Sequence, residues 1–316
     1  MPLSPRERPT FSVVIPCRNE EENIVGIARA VVGEMEKIGE PFELIFIDNA
    51  SSDRTEELGR TLCAEDDRIK LILNARDFGQ MRSPTHAIFQ ANGKAVINLC
   101  ADFQDPPELI PQFVERWRNG ADIVLGVRES EKNAWTLAVP RAAFYWFMHQ
   151  FADHPVIPNA TGFGIYDRRV VDELRRLREP EPFFRGMLAE TGFRLETISY
   201  PRPPRAGGIS NNDFWRLADF ALSGLAGSSK RLLRVPLLVG AASLALCFLS
   251  LLGGLLAFLT GRPVATWLIG SAVELQLGLL FIFLGMIGDQ LRLVSERTRE
   301  TPLVVERERV NFAPKD

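Results

Sequence analysis

The sequence has few cysteines, few histidines and no excess of either charge. Its four cysteines lie far apart in 316 residues and include no CxxC pair. This spacing argues against a disulfide framework or a zinc ribbon and fits a reducing compartment. The three histidines, His86, His149 and His154, lack metal-ligand spacing. A formal net charge of -3 disfavours a globally basic nucleic-acid binder, so we expect no nucleic-acid partner.

Two further absences narrow the class of protein. The first nine residues are polar and contain proline, without the apolar core of a signal peptide. The first apolar run, 11–16, leads into Cys17-Arg18-Asn19 rather than into a glycine-rich turn. A dinucleotide-binding dehydrogenase needs such a turn for the pyrophosphate of its cofactor, so that class is disfavoured.

Short apolar runs alternate with stretches of helical spacing over the first part of the chain. Strands are predicted at 11–16, 42–47, 69–73, 95–99 and 122–126, and helices at 24–38, 55–64, 83–91 and 107–119. Asn19 is a candidate N-cap of the first helix, and Gly39 is expected to end it. A strand near 159–166 then precedes a helix at 168–178, which Asp167 is expected to cap. This alternation predicts an α/β fold with a doubly wound, mostly parallel sheet.

Polar side chains come directly after the predicted strands. They are Arg18, Glu20, Asp48, Asn49, Asp77, Asp102, Gln104 and Arg128. Because the carboxyl ends of parallel strands meet at one edge of a sheet, we expect these residues to converge although they lie far apart in sequence. One such loop could be a mere helix cap, but five in succession indicate a site the size of a nucleotide.

The fourth predicted strand ends in two carboxylates, Asp102 and Asp105, just before the Pro106-Pro107 pair. Carboxylates at this edge can hold a hard divalent cation, which in turn can hold a diphosphate. A polar loop that simply ends a buried strand is the alternative, and this stretch alone does not separate the two.

The last third of the sequence contains two long apolar segments, 235–259 and 264–287. Each matches the roughly 20 residues of helix that cross a bilayer, and the short join predicts a transmembrane hairpin. Lys and Arg flank the hairpin on both outer sides, against one arginine in the join, which predicts that the α/β domain lies in the cytoplasm, at the inner (plasma) membrane. A pair of buried core helices is the alternative.

These patterns divide the chain into four parts. We expect an α/β domain at 1–210, an amphipathic juxtamembrane segment at 211–231, the hairpin at 232–290 and a cytoplasmic tail at 291–316. The apolar stripe of the juxtamembrane segment suits a membrane surface. Packing against the α/β domain would produce the same pattern.

Four motifs resemble glycosyltransferase family 2, and in particular its membrane-attached polyprenyl-phosphate sugar transferases. They are FSVVIPCRNEEEN from Phe11, IDNASSDRT from Ile47, ADFQDPPE from Ala101, and Gly126-Val-Arg128. The resemblance implies a GT-A fold, an inverting hexosyltransferase activity, a nucleotide-diphosphate sugar donor and a polyprenyl phosphate acceptor. It also implies Mg²⁺ or Mn²⁺ as cofactor and a lipid bilayer as partner, and it leaves a homo-oligomer open.

The resemblance also implies roles for individual residues. It places Pro16, Arg18, Glu20 and Asp48 at the nucleoside, and Asp102 and Gln104 at the diphosphate. The strand-end pattern adds Asn49 and Asp77 to the nucleotide-sugar site. Asp102 and Gln104 would reach the metal. Arg128, Arg141 and Arg205 would meet the acceptor phosphate. Asp102, Arg128 and Arg141 are the residues expected to carry the transfer.

Three positions depart from the pattern of the resembled group. Cys100 stands where an aspartate usually begins Asp-x-Asp, Gly162 replaces an acidic residue, and Asn211 replaces a lysine. A thiol is a poor ligand for magnesium, so the metal would rely on Asp102, Gln104 and oxygens of the donor. Because of these departures, an alternative stays open: the protein is a catalytically degenerate member of the group, which binds nucleotide or lipid and scaffolds a glycan-assembly complex. A processive polysaccharide synthase is disfavoured because no Gln-x-x-Arg-Trp motif is present.

The expected reaction needs no missing carboxylate as a base. A phosphate monoester has its second pKa near roughly 6, so a polyprenyl phosphate is largely dianionic at neutral pH. The enzyme would then supply alignment and charge neutralisation on the leaving diphosphate. We expect direct displacement with inversion at the anomeric carbon.

Overall fold

The computed structural model describes residues 9–129, 160–180, 182–201 and 302–312, together with single helical positions between 273 and 298. The strands are β1 (Phe11–Cys17), β2 (Phe42–Asp48), β3 (Ile69–Asn74), β4 (Ala95–Asn98), β5 (Ile123–Arg128), β6 (Ala160–Asp167), β7 (Leu195–Tyr200) and β8 (Glu306–Val310). The helices are α1 (Ile24–Ile38), α2 (Thr55–Glu65), α3 (Gly79–Gln90), α4 (Ile110–Arg118), α5 (Arg168–Arg176) and α6 (Phe184–Glu190). A 3₁₀ turn, Pro107–Leu109, leads into α4.

The eight strands form one sheet in the order β7-β5-β6-β4-β1-β2-β3-β8. The pairs β1–β2, β1–β4, β2–β3 and β5–β7 are parallel. The pairs β4–β6, β5–β6 and β3–β8 are antiparallel. The α/β prediction is therefore confirmed, and the sheet is mixed, because β6 and β8 run against their neighbours.

Helices cover both faces of the sheet. One buried cluster joins the strands to α1, α2 and α4, and a second joins them to α3, α5 and α6. In β1, Val13 and Ile15 belong to the first cluster, whereas Val14 belongs to the second. Because both faces are covered, the strand reads as a continuous apolar run instead of an alternating one.

Most helix ends agree with the sequence, with two exceptions. Gly39 has φ +74° and ends α1, and Asp167 accepts a bond from the Arg169 amide at the start of α5. However, α3 begins at Gly79, four residues before the predicted start. The prediction of Asn19 as an N-cap is wrong, because α1 begins at Ile24 and is preceded by Asn23.

Residues near the end of the chain join the eight-stranded sheet. We expected 291–316 to be a cytoplasmic tail, but β8 pairs with β3, with Leu71 opposite Val310. A bulge between Leu73 and Asn74 interrupts this pairing. Val304, just before β8, is 3% exposed. The part of the tail at 302–312 is therefore a component of the α/β domain.

The predicted membrane segments fall largely outside the described residues. Within the described part of the chain, none of the helices combines the length and apolar character needed to cross a bilayer. The segments 211–231 and 235–259 lie outside it altogether. In the second apolar segment, the described positions are helical and include the exposed side chains of Leu280 and Phe283.

Candidate active site

The candidate active site lies where the parallel strands end. β1, β2, β3 and β4 end at Cys17, Asp48, Asn74 and Asn98, and the next residue or loop in each case carries polar side chains. β5 runs in the same direction as β4, because each is antiparallel to β6, and it ends at Arg128. Parallel strands bring these ends to one edge, which is where open α/β sheets bind ligands.

A polar cluster joins the loops that follow β1, β2 and β3. The guanidinium of Arg18 forms an ion pair with the carboxylate of Asp77. The Asn49 side-chain amide donates to the other oxygen of that carboxylate at 2.6 Å. The amide of Gly79, the first residue of α3, donates to the same oxygen at 2.8 Å. Three residues that the sequence assigned to the nucleotide therefore meet, and about a third of the Arg18 and Asp77 side chains is exposed.

Asn74 supports this cluster, and the sequence analysis missed it. Its side-chain amide donates to Asn49 Oδ1 at 3.0 Å and to Ser83 Oγ at 2.9 Å. The Phe78 backbone amide donates to the same oxygen of Asn49 at 2.9 Å. Asn74 is 2% exposed, and it is the last residue of β3, directly after the apolar run Leu71-Ile-Leu73. A polar residue at that position was the available signal.

Asp48 and Glu20 form hydrogen bonds within and between the loops that carry the polar cluster. The Asp48 carboxylate is 2% exposed and accepts a bond from the Ser51 amide at 3.2 Å. Burial raises the pKa of the Asp48 carboxyl, and the hydrogen bonds from Ser51 offset only part of that effect. Glu20 accepts from the Asn23 side chain at 2.7 Å, and its amide donates to Thr55 Oγ1 at 2.8 Å.

The loops after β1 and β2 are also bonded directly to each other. Asn19 has φ +55°, and its side-chain oxygen accepts from the Ser52 amide at 2.8 Å. Its own amide donates to Ser51 Oγ at 2.9 Å. Ala50, in the second loop, has φ +57°. Left-handed backbone at a residue other than glycine costs energy and concentrates at ligand-binding sites, so the bonds of Asn19 hold a strained loop pair in place.

The loop after β4 carries Asp102 on a rigid base. Asp102 is half-buried, and its Oδ1 accepts from the Gln104 amide at 3.2 Å. Between them, Phe103 has φ +59° and packs against the first core cluster. The Phe103 ring packs close to α1, because a Cβ atom at Gly26 would lie in van der Waals contact with it, at 3.4 Å. Asp102 and Gln104 thus flank an anchored aromatic residue.

The structure separates the two carboxylates that the sequence grouped as metal ligands. Asp105 is 1% exposed and accepts from Arg128 at 2.9 Å and from the Tyr200 hydroxyl at 2.7 Å. The expectation that Asp105 is displayed to a cation is therefore corrected: its oxygens bind protein groups, including the Cys100 amide at 3.3 Å. Tyr200 is a further residue that the sequence analysis missed, because it predicted no strand at Leu195–Tyr200.

Charge is balanced inside this buried group. Burial lowers the pKa of Arg128, but Asp105 and Tyr200 outweigh it and hold that pKa above its usual value. Burial and the negative charge of Asp105 raise the pKa of Tyr200. At neutral pH, Arg128 is therefore a cation and Tyr200 a neutral donor, and Asp105 is the shared acceptor that orients both.

Cys100 does not take over the metal-binding role of the aspartate that usually stands at its position. Burial raises the pKa of its thiol well above the usual value, and the charges of Asp105 and Asp102 add to this effect. Because only the thiolate binds metals well, the group is a poor ligand at neutral pH. Within the part of the chain that the structure describes, no group of three or more His, Cys, Asp or Glu side chains could hold a metal ion.

The remaining candidate ligands are therefore Asp102 and Gln104. One carboxylate with an amide fits a cation that keeps several oxygens from water and from a substrate diphosphate, as Mg²⁺ does in phosphoryl-binding sites. It does not fit a cation held by protein ligands alone. Asp102 and Gln104 thus suit a metal ion that binds together with a substrate diphosphate.

Four other positions from the sequence analysis remain. Pro16 lies in β1 opposite Ile47, one residue from the edge. Gly162 has φ +89°, and its carbonyl accepts from the Asn98 side chain at 2.9 Å. Arg141 and Arg205 lie outside the described residues, so their expected contacts with phosphate stay predictions.

A mixed sheet between two layers of helices, with polar side chains gathered at its carboxyl edge, is the arrangement of a GT-A-like α/β fold. Residues 12–175 match the family model described as Glycosyl transferase family 2. The chain belongs to glycosyltransferase family 2, and it is a glycosyltransferase.

Individual relatives extend the likeness over nearly the whole chain. The bactoprenol glucosyl transferase of Shigella phage SfV is 30% identical over 298 residues, which cover 92% of this chain and 96% of that protein. The uncharacterized glycosyltransferase YkcC of Bacillus subtilis is 30% identical over 300 residues, covering 93% and 92%. The resemblance to the polyprenyl-phosphate sugar transferases is thereby confirmed.

Among solved structures, the fold is shared with a mycobacterial enzyme. Glucosyl-3-phosphoglycerate synthase from Mycobacterium tuberculosis, in complex with Mn²⁺, UDP and phosphoglyceric acid, matches with a TM-score of 0.50. The match covers 69% of this chain and 77% of that one at 17% identity. This similarity supports the GT-A-like fold of the described domain.

Proposed function

We propose that this protein transfers one hexose from a nucleotide-diphosphate sugar to a polyprenyl phosphate. The observation that carries the proposal is the meeting of Arg18, Asn49 and Asp77 at the strand edge that also bears Asp102 and Arg128. Relatives named as bactoprenol glucosyl transferases, similar over nearly the full length, support a polyprenyl acceptor.

The donor site has two halves with different chemistry. The cluster of Arg18, Asn49 and Asp77 offers amide and carboxylate groups with about a third of the Arg18 and Asp77 side chains exposed, which suits the hydrogen-bonding edge of a nucleoside. Asp102 and Gln104 serve the diphosphate half. Mg²⁺ or Mn²⁺ bound with the donor would neutralise charge on the departing nucleotide.

Arg128 suits the phosphate half of the site because it is already oriented. Its guanidinium bonds to Asp105 at 2.9 Å and to Tyr200 at 3.2 Å, and its side chain is 17% exposed. An arginine held in advance can stabilise phosphate charge without paying reorganisation cost at the moment of reaction. Arg141 and Arg205 are proposed to complete the acceptor contacts.

The mechanism follows from the charge of the acceptor. A phosphate monoester is already largely dianionic near pH 7, since its second pKa is roughly 6, so no side chain has to remove a proton from it. The chain's own groups hold donor and acceptor in line and stabilise the leaving diphosphate. One displacement then forms the new glycosidic bond as the old one breaks, with inversion at the anomeric carbon.

We further propose that the protein is anchored on the inner (plasma) membrane with its catalytic domain in the cytoplasm. The apolar segments and their flanking cations support this placement. Exposed apolar side chains at described helical positions, such as Leu280 and Leu291, also support it, since exposed apolar helix surface is unfavourable in water. Retention in the membrane fraction after alkaline carbonate washing would be expected, and release into the supernatant would contradict the proposal.

The activity is tested in two stages with the full chain in detergent. First, a panel of nucleotide sugars with and without Mn²⁺ is screened for thermal stabilisation. The stabilising donor is then incubated with polyprenyl phosphate, and the anomeric configuration of the product is read by NMR. Transfer with inversion is expected. Retention of configuration would contradict the single displacement, and binding without transfer would contradict the proposed reaction.

A second candidate function follows from Cys100. With Asp102 as the one carboxylate at the proposed metal position among the described residues, and a protonated thiol at Cys100, the protein could bind the donor without turning it over and scaffold a glycan-assembly complex. The transfer assay separates the two candidates, because a scaffold would bind the nucleotide sugar yet form no lipid-linked product.

A further inference from the structure

The C-terminal strap, which we define as residues 302–312, lies beside the nucleotide half of the proposed donor site. Its strand β8 pairs with β3, the strand that ends at Asn74. One residue further on, the Ala75 amide donates to the Val305 carbonyl at 2.9 Å. The backbone that leads to Asp77 is thus bonded to the strap on one side and carries the donor cluster on the other.

The strap also holds α3 along one face of that helix. Arg82, His86 and Gln90 are four residues apart, so they lie one above another on α3. Arg82 donates to the carbonyl of Pro302 at 2.9 Å, and the His86 ring lies 2.5 Å from the Glu306 carboxylate. Arg309 of the strap donates to Gln90 at 2.7 Å. These contacts bind successive turns of the helix to one short segment.

The first turn of α3 belongs to the donor cluster. Gly79 donates its amide to Asp77, and Ser83 accepts a bond from Asn74. Asn49 bonds to both Asp77 and Asn74. A shift of α3 along its axis would therefore move Asp77 relative to Asn49.

We propose that the C-terminal strap positions α3 and, through α3, the Asp77 side of the donor site. Donor affinity then depends on the contacts that Glu306 and Arg309 make with α3. This inference rests on the proposed donor site. Glu306 and Arg309 touch no substrate in this scheme and act as positioning residues. A binding group that is already held in its bound position loses less conformational freedom when the ligand binds, so the affinity is higher.

The opposite face of β8 offers a matched control. Glu308 bonds to Arg60 of α2 at 2.9 Å, and Arg307 forms an ion pair with Glu56 of the same helix. These pairs fasten the strap to α2 and involve no residue of α3. Glu306→Gln and Glu308→Gln change the same chemical group two residues apart, but only the first removes a charge that faces α3.

The experiment measures UDP binding to the full chain in detergent with Mn²⁺ by calorimetry, with GDP as the probe if the wild type prefers it. Glu306→Gln is expected to raise the dissociation constant about three- to tenfold, with the donor KM raised in parallel and kcat nearly unchanged. Glu308→Gln is expected to leave the affinity within about twofold, although both variants lower the melting temperature. Equal affinities for the two variants would overturn the proposal.

A double-mutant cycle tests the route through Asp77. In an Asp77→Asn background, Glu306→Gln should have little further effect on nucleotide affinity, and a full additive loss would overturn the route. If the wild type binds no nucleoside diphosphate, the proposed function itself fails. If the wild type binds and Glu306→Gln binds equally well, only the inference about the strap fails.

Discussion

The Arg128 guanidinium and the Asp105 carboxylate form an ion pair of 2.9 Å in which Asp105 is 1% exposed. The carboxylate also accepts the Tyr200 hydroxyl at 2.7 Å. Asp105 lies three residues after Asp102. The same loop therefore supplies one carboxylate to the site, Asp102, and the buried counter-ion of Arg128, Asp105. The orientation of Arg128 is therefore a property of the loop after β4.

Asp105→Asn should be strongly destabilising. Removing one partner of a buried ion pair leaves the other charge uncompensated, which costs about 3–5 kcal/mol. Tyr200→Phe removes a single neutral donor and should cost about 1 kcal/mol. Urea denaturation of the full chain gives both values. Similar costs for the two variants would show that the charge of Arg128 is satisfied elsewhere.

Asp102→Ala should remove metal-dependent donor binding while leaving the fold intact. The residue lies half-exposed on a loop, and its removal opens no core cavity. Calorimetry with UDP should show no enhancement by Mn²⁺, with a melting temperature close to that of the wild type. Glu108→Ala, an exposed change in the following turn, is the control and should bind as the wild type does. Mn²⁺-dependent binding by Asp102→Ala would remove Asp102 from the metal site.

Cys100→Asp should strengthen metal binding. The substitution places a second carboxylate two residues before Asp102, where the present thiol is protonated because burial raises its pKa. We expect the Mn²⁺ concentration at half-maximal transfer to fall about tenfold, within the range by which changes around metal ligands alter affinity. Cys100→Asn has the same shape without the charge and should give no gain. A gain from the asparagine variant would point to packing instead.

The contribution of Glu306 to stability should depend on pH. Burial raises the pKa of its carboxyl, but bonds from Arg309 and His86 outweigh this and lower the pKa to about 2 from 4.5. A carboxyl with a lowered folded-state pKa stabilises the protein above its unfolded pKa, and this stability is lost as the pH falls from about 4.5 towards 2. The difference in urea midpoint between wild type and Glu306→Gln should therefore be largest near pH 7 and shrink below pH 4.5. A difference that stays constant down to pH 3 would contradict the ion pair.

Much of the fold could be predicted because burial on both faces makes strands easy to recognise. The apolar runs from Phe11 and Phe42 correspond to β1 and β2 within a residue or two, and Asp167 caps α5 as expected. The convergence of Arg18 and Asp77 also followed from topology alone, since each residue comes after a parallel strand.

Other features depended on contacts that no local pattern encodes. β8 reads Glu306-Arg-Glu-Arg-Val310, and such charge alternation resembles a solvated segment until its partners on α2 and α3 are known. Asp105 and Asp102 look equivalent in sequence, yet burial separates a counter-ion from a site residue. Asparagine often caps helices, but the side chain of Asn19 bonds to the loop after β2 instead.

The pairing of β8 with β3 has a practical consequence for shortened versions of the chain. A chain that stops before Glu306 would leave β3 as an edge strand with its apolar run, Leu71-Ile-Leu73, flanked by unpaired backbone groups. Natural edge strands carry charges that discourage intermolecular pairing, and here β8 carries four charged residues whereas β3 carries only Lys70. Soluble fragments made by removing the C-terminal third should therefore aggregate through β3 unless residues 302–312 are joined back to them.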